Sequence, residues 1–489
     1  MPTRMLLAID QGTTSSRAIL FDAKGRPRAS HAVALRQIYP ASGWVEHDPL
    51  EIWRGVQRCV RAVLKAAPRG SSVAGLGITN QRETSLIWDA DTGKPLANAI
   101  VWQDRRGAER CTSLRRRGLE PMIARKTGLL LDPYFSATKL EWLLKSVKGA
   151  RARARRGKVL FGTIDTWLVW KLTGGRVHAT DVTNASRTML FNLRTRAWDD
   201  DLLRLFGVPA AMMPQIKDSV DDFGTTTLFG APLPIRGVAG DQQAASFGQA
   251  CFAPGDVKAT YGTGCFALVN TGAAITRSHN RLIPTALAQE QHAIAGSIFI
   301  AGAVVQWLCD ALGVIARSQD VEALAARGRD MPGLYFVPAF TGLGAPYWDA
   351  QARGAILGLT RDAGAAEIAR AALDAVCFQT RDLLEAMARD MARSHIRLRE
   401  LKVDGGMVAN DAFCQRLADL TGLAVARPRV TETTALGAAL LAGLGVGLFR
   451  TRKDIARLWA LDRRFVPTMK AAARDAAWRG WQAAVRRVR

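Results

Sequence analysis

Short apolar runs, several ending in a glycine-bearing polar turn, alternate along the chain with stretches of helical period. The first such unit spans residues 6–20. Apolar residues 6–9 and 18–20 flank Asp10, Gln11, Gly12 and four consecutive hydroxyls, Thr13, Thr14, Ser15 and Ser16, a pattern that predicts a β-hairpin. A plain hairpin turn has no use for four hydroxyls in a row. Backbone N–H groups and Thr/Ser hydroxyls are what a polyphosphate tail requires, and an acid at the end of the first strand suits a cation. No GxxxxGK[ST] occurs here and no helix follows, so this is not a Walker loop. A polar surface hairpin and a phosphate-facing turn both stay open on this stretch alone.

Residues 22–25 form another turn, and a strand is expected over 31–35. Asp48 then reads as an N-cap, with Pro49 in the first helical position and Glu51 completing a capping box. Ile52, Trp53, Val56, Val60, Val63 and Leu64 recur at helical spacing behind it. An apolar strand over 75–79 ends in Asn80, Gln81, Arg82, Glu83 and Thr84. Ligands bind at strand ends in α/β sheets, and an adjacent Arg–Glu pair offers the donors and acceptor that vicinal hydroxyls require; the plainer reading is a surface ion pair. Residues 98–101 are a further strand running into Trp102 and polar residues, where Trp102 reads equally as core. Tyr134 lies in a turn before a helix containing Lys139, Leu140 and Trp142. Residues 161–168 and 180–187 read as structural, with no chemistry assigned.

A buried strand over 235–240 ends at Asp241, Gln242 and Gln243, where a helix begins. Asp241 there is either an N-cap or a general base kept ionised by the helix N-terminus. Residues 248–254 look like a boundary, because the opening pattern restarts after them: strands over 256–260 and 266–269 flank Tyr261, Gly262, Thr263, Gly264 and Cys265. Another strand-to-helix junction covers 296–306. A third glycine turn, Asp404 to Asn410, follows the strand 401–403, and a Gly/Pro-rich loop covers 338–348. The repeated hairpin suggests two similar halves closing on a ligand.

Composition narrows this picture. At 489 residues, 48% hydrophobic and 22% charged, the chain suits two large domains with sizeable cores. No apolar run reaches membrane-spanning length and the start reads as a strand rather than a signal sequence, so no membrane partner and a cytoplasmic location are expected. Seven cysteines without CxxC or His spacing argue against zinc or a disulfide framework. The net charge of +24 collects in residues 115–117, 148–158 and the C-terminal tail. These patches lack interleaved aromatics and any nucleic-acid motif, so a solvated Arg-rich surface is preferred over a nucleic-acid interface.

Taken together, segments 10–17, 43–49, 79–84, 101–106, 132–143, 240–249, 261–266, 338–348 and 403–419 resemble, in order, the FGGY carbohydrate kinases, and within them the glycerol kinases. The resemblance implies an α/β fold of two actin/hexokinase-type (ribonuclease H-like) domains around a nucleotide cleft: 1–248 binding glycerol and 249–489 binding nucleotide. It implies a transferase that phosphorylates glycerol to sn-glycerol 3-phosphate with ATP and Mg²⁺, acting as a homo-oligomer; a kinase for another polyol or a pentulose is the alternative. Thr13, Thr14, Ser15, Arg17 and Thr263 would meet the phosphates, and Gly302, Gln306, Gly406 and Asn410 would line the rest of the nucleotide site. Arg82, Glu83, Tyr134, Asp241 and Gln242 would bind glycerol under Trp102 and Phe266, with Asp241 as catalytic base and Asp10 supporting the metal. Two departures stand out. Residues 225–234 carry no basic residue, which argues against sugar-bisphosphate inhibition, and Ala295 replaces an expected acid.

Overall fold

The computed structural model describes residues 3–489. In the N-terminal half, β1 (Thr3–Gln11), β2 (Ser15–Asp22), β3 (Pro27–Ala34), β4 (Ser71–Asn80), β5 (Thr225–Thr226) and β6 (Leu233–Gly240) form one sheet in the order β5-β6-β4-β1-β2-β3. Strands β1, β2 and β3 are antiparallel, whereas β4 and β6 run parallel to β1. In the C-terminal half, β7 (Val257–Tyr261), β8 (Cys265–Gly272), β9 (Ile283–Ala286), β10 (His292–Ile298), β11 (Leu401–Asp404), β12 (Val425–Pro428) and β13 (Leu461–Phe465) follow the order β9-β10-β8-β7-β11-β12-β13. Again three antiparallel strands (β10, β8, β7) continue into two parallel ones (β11, β12). The repeated hairpin is therefore the visible part of a repeated sheet topology.

The helices that frame the sheets and the cleft include α1 (Pro49–Lys65), α2 (Ser136–Ser146), α3 (Asp241–Gly248), α4 (Gly302–Asp310), α5 (Ala365–Ala392), α6 (Asp411–Thr421) and α7 (Thr433–Gly445). Helix α1 buries Ile52, Val56, Cys59, Val60 and Val63 on one face, as its spacing predicts. Asp48 caps it, accepting from the Leu50 N–H at 2.8 Å. The expected capping box does not form. Glu51 accepts instead from the Arg36 N–H (3.0 Å), because the incoming chain from β3 passes within its reach.

Each half has its own core, but α7 crosses between them. Although it follows β12 in the chain, its apolar face covers Leu6, Ala8, Ile19 and Phe21 of the N-terminal sheet. It lies backbone-to-backbone on α3. A Cβ on Gly437 would stand 1.8 Å from the Ala244 carbonyl oxygen, and one on Gly248 would stand 2.1 Å from that of Thr433. Only hydrogen fits at these two positions, and their close approach fixes α3, with Asp241 at its start, to an element of the other half.

Candidate active site

The ends of β1, β4, β6, β7 and β11 lead into most of the polar residues that the sequence singled out. One group of them clusters around Arg82 as a cup. Strand β4 delivers Arg82 and Glu83, both buried, and Glu83 adopts a left-handed φ of 61°, a conformation that costs a non-glycine residue energy and recurs at ligand sites. Arg82 Nε lies 2.8 Å from Asp241 Oδ1, yet neither Nε nor Nη1 of this buried guanidinium has a hydrogen-bond partner. Unspent buried donors are what a polyol would satisfy. Burial works against the Arg82 charge, but Asp241 and Glu83 outweigh it and raise its pKa.

Asp241 is the first residue of α3, one position inside the N-cap, Gly240. Its Oδ1 accepts the Gln242 N–H at 2.7 Å and faces Arg82, which leaves Oδ2 unpaired among the described residues. Tyr134 closes the next side. Burial, then Glu83, push its phenol up to about 12, so it stays protonated and able to donate. Trp102 stacks edge-on against both Tyr134 (centroids 5.5 Å) and Phe266 of β8 (6.1 Å). Its indole N–H donates to Thr13 Oγ1 at 2.9 Å and ties the cup to the first hairpin. Trp102 is thus half-buried, packed on the core beside Tyr134 while its indole N–H reaches the first hairpin.

The other group sits on or beside the glycine-bearing turns. Thr13, Thr14 and Ser15 are at the β1–β2 tip. Ser16 is not available there: it pairs with Gln11 in the ladder, is buried, and donates to Gln11 Oε1. The tip therefore presents three hydroxyls, not four. Opposite, Thr263 is exposed on the β7–β8 tip, and its carbonyl accepts from the N–H groups of Ala301 and Ala303 at the start of α4. Gly302 approaches the Gly262 carbonyl so closely that a Cβ would stand 2.7 Å from it. Gly406 faces open space beyond β11. Asn410 spends its side-chain oxygen capping α6, and Gln306 donates to Asp310. Arg17 is clasped by two carboxylates, Asp10 at 2.7 Å and Glu432 at 2.6 Å. Burial raises the Asp10 pKa, against the pull of Arg17.

Family models described as the N-terminal and C-terminal domains of the FGGY family of carbohydrate kinases match residues 5–248 and 257–446. The chain belongs to the FGGY family of carbohydrate kinases. Among its relatives, the glycerol kinases of Alcanivorax borkumensis and Rhodospirillum centenum are 55% and 57% identical, each alignment covering 99% of this chain and 98% of the relative. The crystal structure of Plasmodium falciparum glycerol kinase with ADP superposes with a TM-score of 0.93 at 35% identity, covering 99% of this chain and 98% of that one. A xylulose kinase from Lactobacillus acidophilus shares the fold (TM-score 0.89) at 22% identity, with the same coverage.

In this FGGY chain three buried residues support the cup without having been singled out in the sequence. Arg187 donates to Glu83 Oε1 at 2.5 Å, so the 180–187 segment, read from the sequence as structural, supplies a buried partner to Glu83. Lys139 of α2 donates to the carbonyls of Pro133 (2.7 Å), Tyr134 (2.6 Å) and Phe135 (3.2 Å), fixing the turn that holds the phenol; burial lowers its pKa to about 8. Lys258 of β7 donates to Gln242. The only local signal was a lysine within an otherwise apolar run.

Proposed function

We propose that this kinase phosphorylates glycerol to sn-glycerol 3-phosphate with ATP, its cup holding the triol and its glycine turns the nucleotide. The observation that carries the reading is the cup's unspent donors and acceptors: Arg82 Nη1, Asp241 Oδ2 and Tyr134 OH. The full-length similarity to glycerol kinases supports glycerol over other polyols. In this reading residues 1–248 hold the acceptor and 249–489 the nucleotide.

Asp241 Oδ2 accepts the proton of a terminal hydroxyl as its oxygen attacks the γ-phosphorus and the bond from that phosphorus to the β,γ-bridging oxygen breaks. Phosphoryl transfer has a loose transition state, so the protein's part is mainly positioning and charge neutralisation. Arg82 and Glu83 orient the remaining hydroxyls, while Trp102 and Phe266 cover the carbon face and exclude water that would hydrolyse ATP. Thr13, Thr14, Ser15 and Thr263 receive the phosphates, with Arg17 turning to them from its carboxylates. Gly302, Gln306, Gly406 and Asn410 line the remainder of the nucleotide site. Among the described residues no cluster of three acidic, His or Cys side chains forms a cage. Asp10, with one oxygen not engaged by Arg17, fits a Mg²⁺ ion held by one carboxylate and the substrate's phosphates; such an ion would neutralise charge on the transferring group. The seven free thiols and the ATP substrate suit the cytoplasm.

A coupled assay with ATP, Mg²⁺ and a panel of glycerol, xylulose, gluconate and erythritol tests the proposal. Turnover is expected with glycerol. Turnover of xylulose or gluconate with none of glycerol would refute it.

A further inference from the structure

Lys258 lies on β7 with its side chain fully buried. Val257, Ala259 and Tyr261 of the same strand enter the C-terminal core, so strand alternation turns Lys258 and Thr260 to the other face, towards α3. There the ammonium donates to Gln242 Oε1, to Thr260 Oγ1 at 2.5 Å and to the Phe266 carbonyl at 3.3 Å. It thus joins α3 of one half to the second hairpin of the other. Burial lowers its pKa, opposed by Asp404 and then Asp241.

An ammonium has three donors and no acceptor. Only the oxygen of the Gln242 amide can face it, and the NH₂ end must then point away, where it has no partner among the described residues. A glutamine without such a neighbour can present either end to a ligand. We propose that Lys258 is a positioning residue for acceptor binding: it locks the Gln242 amide so that its NH₂ group, and not its carbonyl, meets a substrate hydroxyl oxygen beside Asp241. The inference rests on the placement of Gln242 in the glycerol cup. It assigns complementary roles to neighbouring residues of α3, Asp241 accepting a hydroxyl proton and Gln242 donating to a hydroxyl oxygen.

The test is a double-mutant cycle on the purified full-length enzyme, using Lys258→Met, Gln242→Ala and the combination, with KM measured separately for glycerol and ATP. The native enzyme is assayed first; if it fails to phosphorylate glycerol, the functional reading itself falls. Given native activity, Lys258→Met is expected to raise the glycerol KM about tenfold, the size of one lost substrate hydrogen bond, and to change the ATP KM by less than about twofold. In the Gln242→Ala background the same substitution is expected to add less than about twofold, because no amide is left to orient. An unchanged glycerol KM in Lys258→Met, an equal rise in both KM values, or a full effect in the Gln242→Ala background would each overturn the proposal. Gln242→Glu gives a reading that does not depend on Lys258→Met folding. It keeps an oxygen towards Lys258 but replaces the donor with a second oxygen, so its glycerol KM is expected to rise at least as far as that of Gln242→Ala. Native-like glycerol affinity in Gln242→Glu would overturn the proposal equally.

Discussion

The Arg187 guanidinium meets the Glu83 carboxylate at 2.5 Å, with side chains only 1% and 2% exposed and the two residues 104 positions apart in the chain. Arg187 takes Glu83 Oε1, leaves the second oxygen without a partner among the described residues, and holds a glutamate whose φ of 61° is unfavourable. Removing one member of a buried pair strands the other, at a cost of about 3–5 kcal/mol. Arg187→Met is therefore expected to lower the melting temperature and to raise the glycerol KM, leaving the ATP KM near its native value. A native glycerol KM in a folded variant would show that Glu83 is positioned without Arg187.

Glu432 occupies Arg17 from the opposite half at 2.6 Å, in a partly exposed pair. Under the proposed reading, a phosphate binding through Arg17 competes with that carboxylate. Because exposed pairs are worth up to about 1 kcal/mol, Glu432→Gln is expected to lower the ATP KM by about two- to fivefold. Steady-state kinetics at fixed glycerol checks this; an unchanged ATP KM would mean that Glu432 does not compete.

Asp241→Asn keeps the size of the side chain and removes its basicity. A general base contributes about 10²- to 10⁴-fold, so kcat is expected to fall within that range while nucleotide binding, read by calorimetric titration with ADP, persists. Full activity would relocate the base.

Asp165 is fully buried, accepts from Thr163 and from Thr180 at 2.5 and 2.6 Å, and faces a second buried carboxylate, Asp181. Burial first, then Asp181, push it up to about 7. The folded state therefore holds a proton that the unfolded chain releases at about 3.9. Stability from this group is complete below that value and lost as pH rises through about 7. Between about pH 4 and pH 7 the native protein is expected to lose melting temperature relative to Asp165→Asn, with the difference levelling off above about pH 7; parallel curves for the two proteins across that window would contradict this.

Gly437→Ala forces a methyl group to within 1.8 Å of the Ala244 carbonyl unless α3 and α7 part. Overpacking of this kind costs about 1–3 kcal/mol. Since α3 begins with Asp241 and Gln242, both the melting temperature and kcat are expected to fall. A variant that matched the native protein in thermal melts would show that the two helices yield freely.

The sequence by itself determined the local elements and the positions where chemistry is presented. Short continuous apolar runs broken by glycine-bearing turns specify hairpins locally, so β1–β2 and β7–β8 were legible, as were the strand-to-helix junctions at Asp241 and Gly405. In those places the backbone conformation and the candidate side chain are encoded by immediate neighbours. Tertiary structure decided which way those side chains point and what holds them. The four-hydroxyl run looks uniform in sequence, yet ladder pairing with Gln11 turns Ser16 inward. Glu51 has the spacing of a capping box, yet the loop before Asp48 draws it to Arg36. Arg187 and Lys258 have no local motif, because their partners arrive from other elements: 104 residues away for Glu83, 16 for Gln242. Helix α7 belongs by sequence to the second half and packs on the first, through glycines whose meaning appears only when two backbones touch. Local order follows from short-range sterics and periodicity, whereas side-chain direction and buried charge pairing depend on contacts that exist only once the two sheets are folded and facing each other.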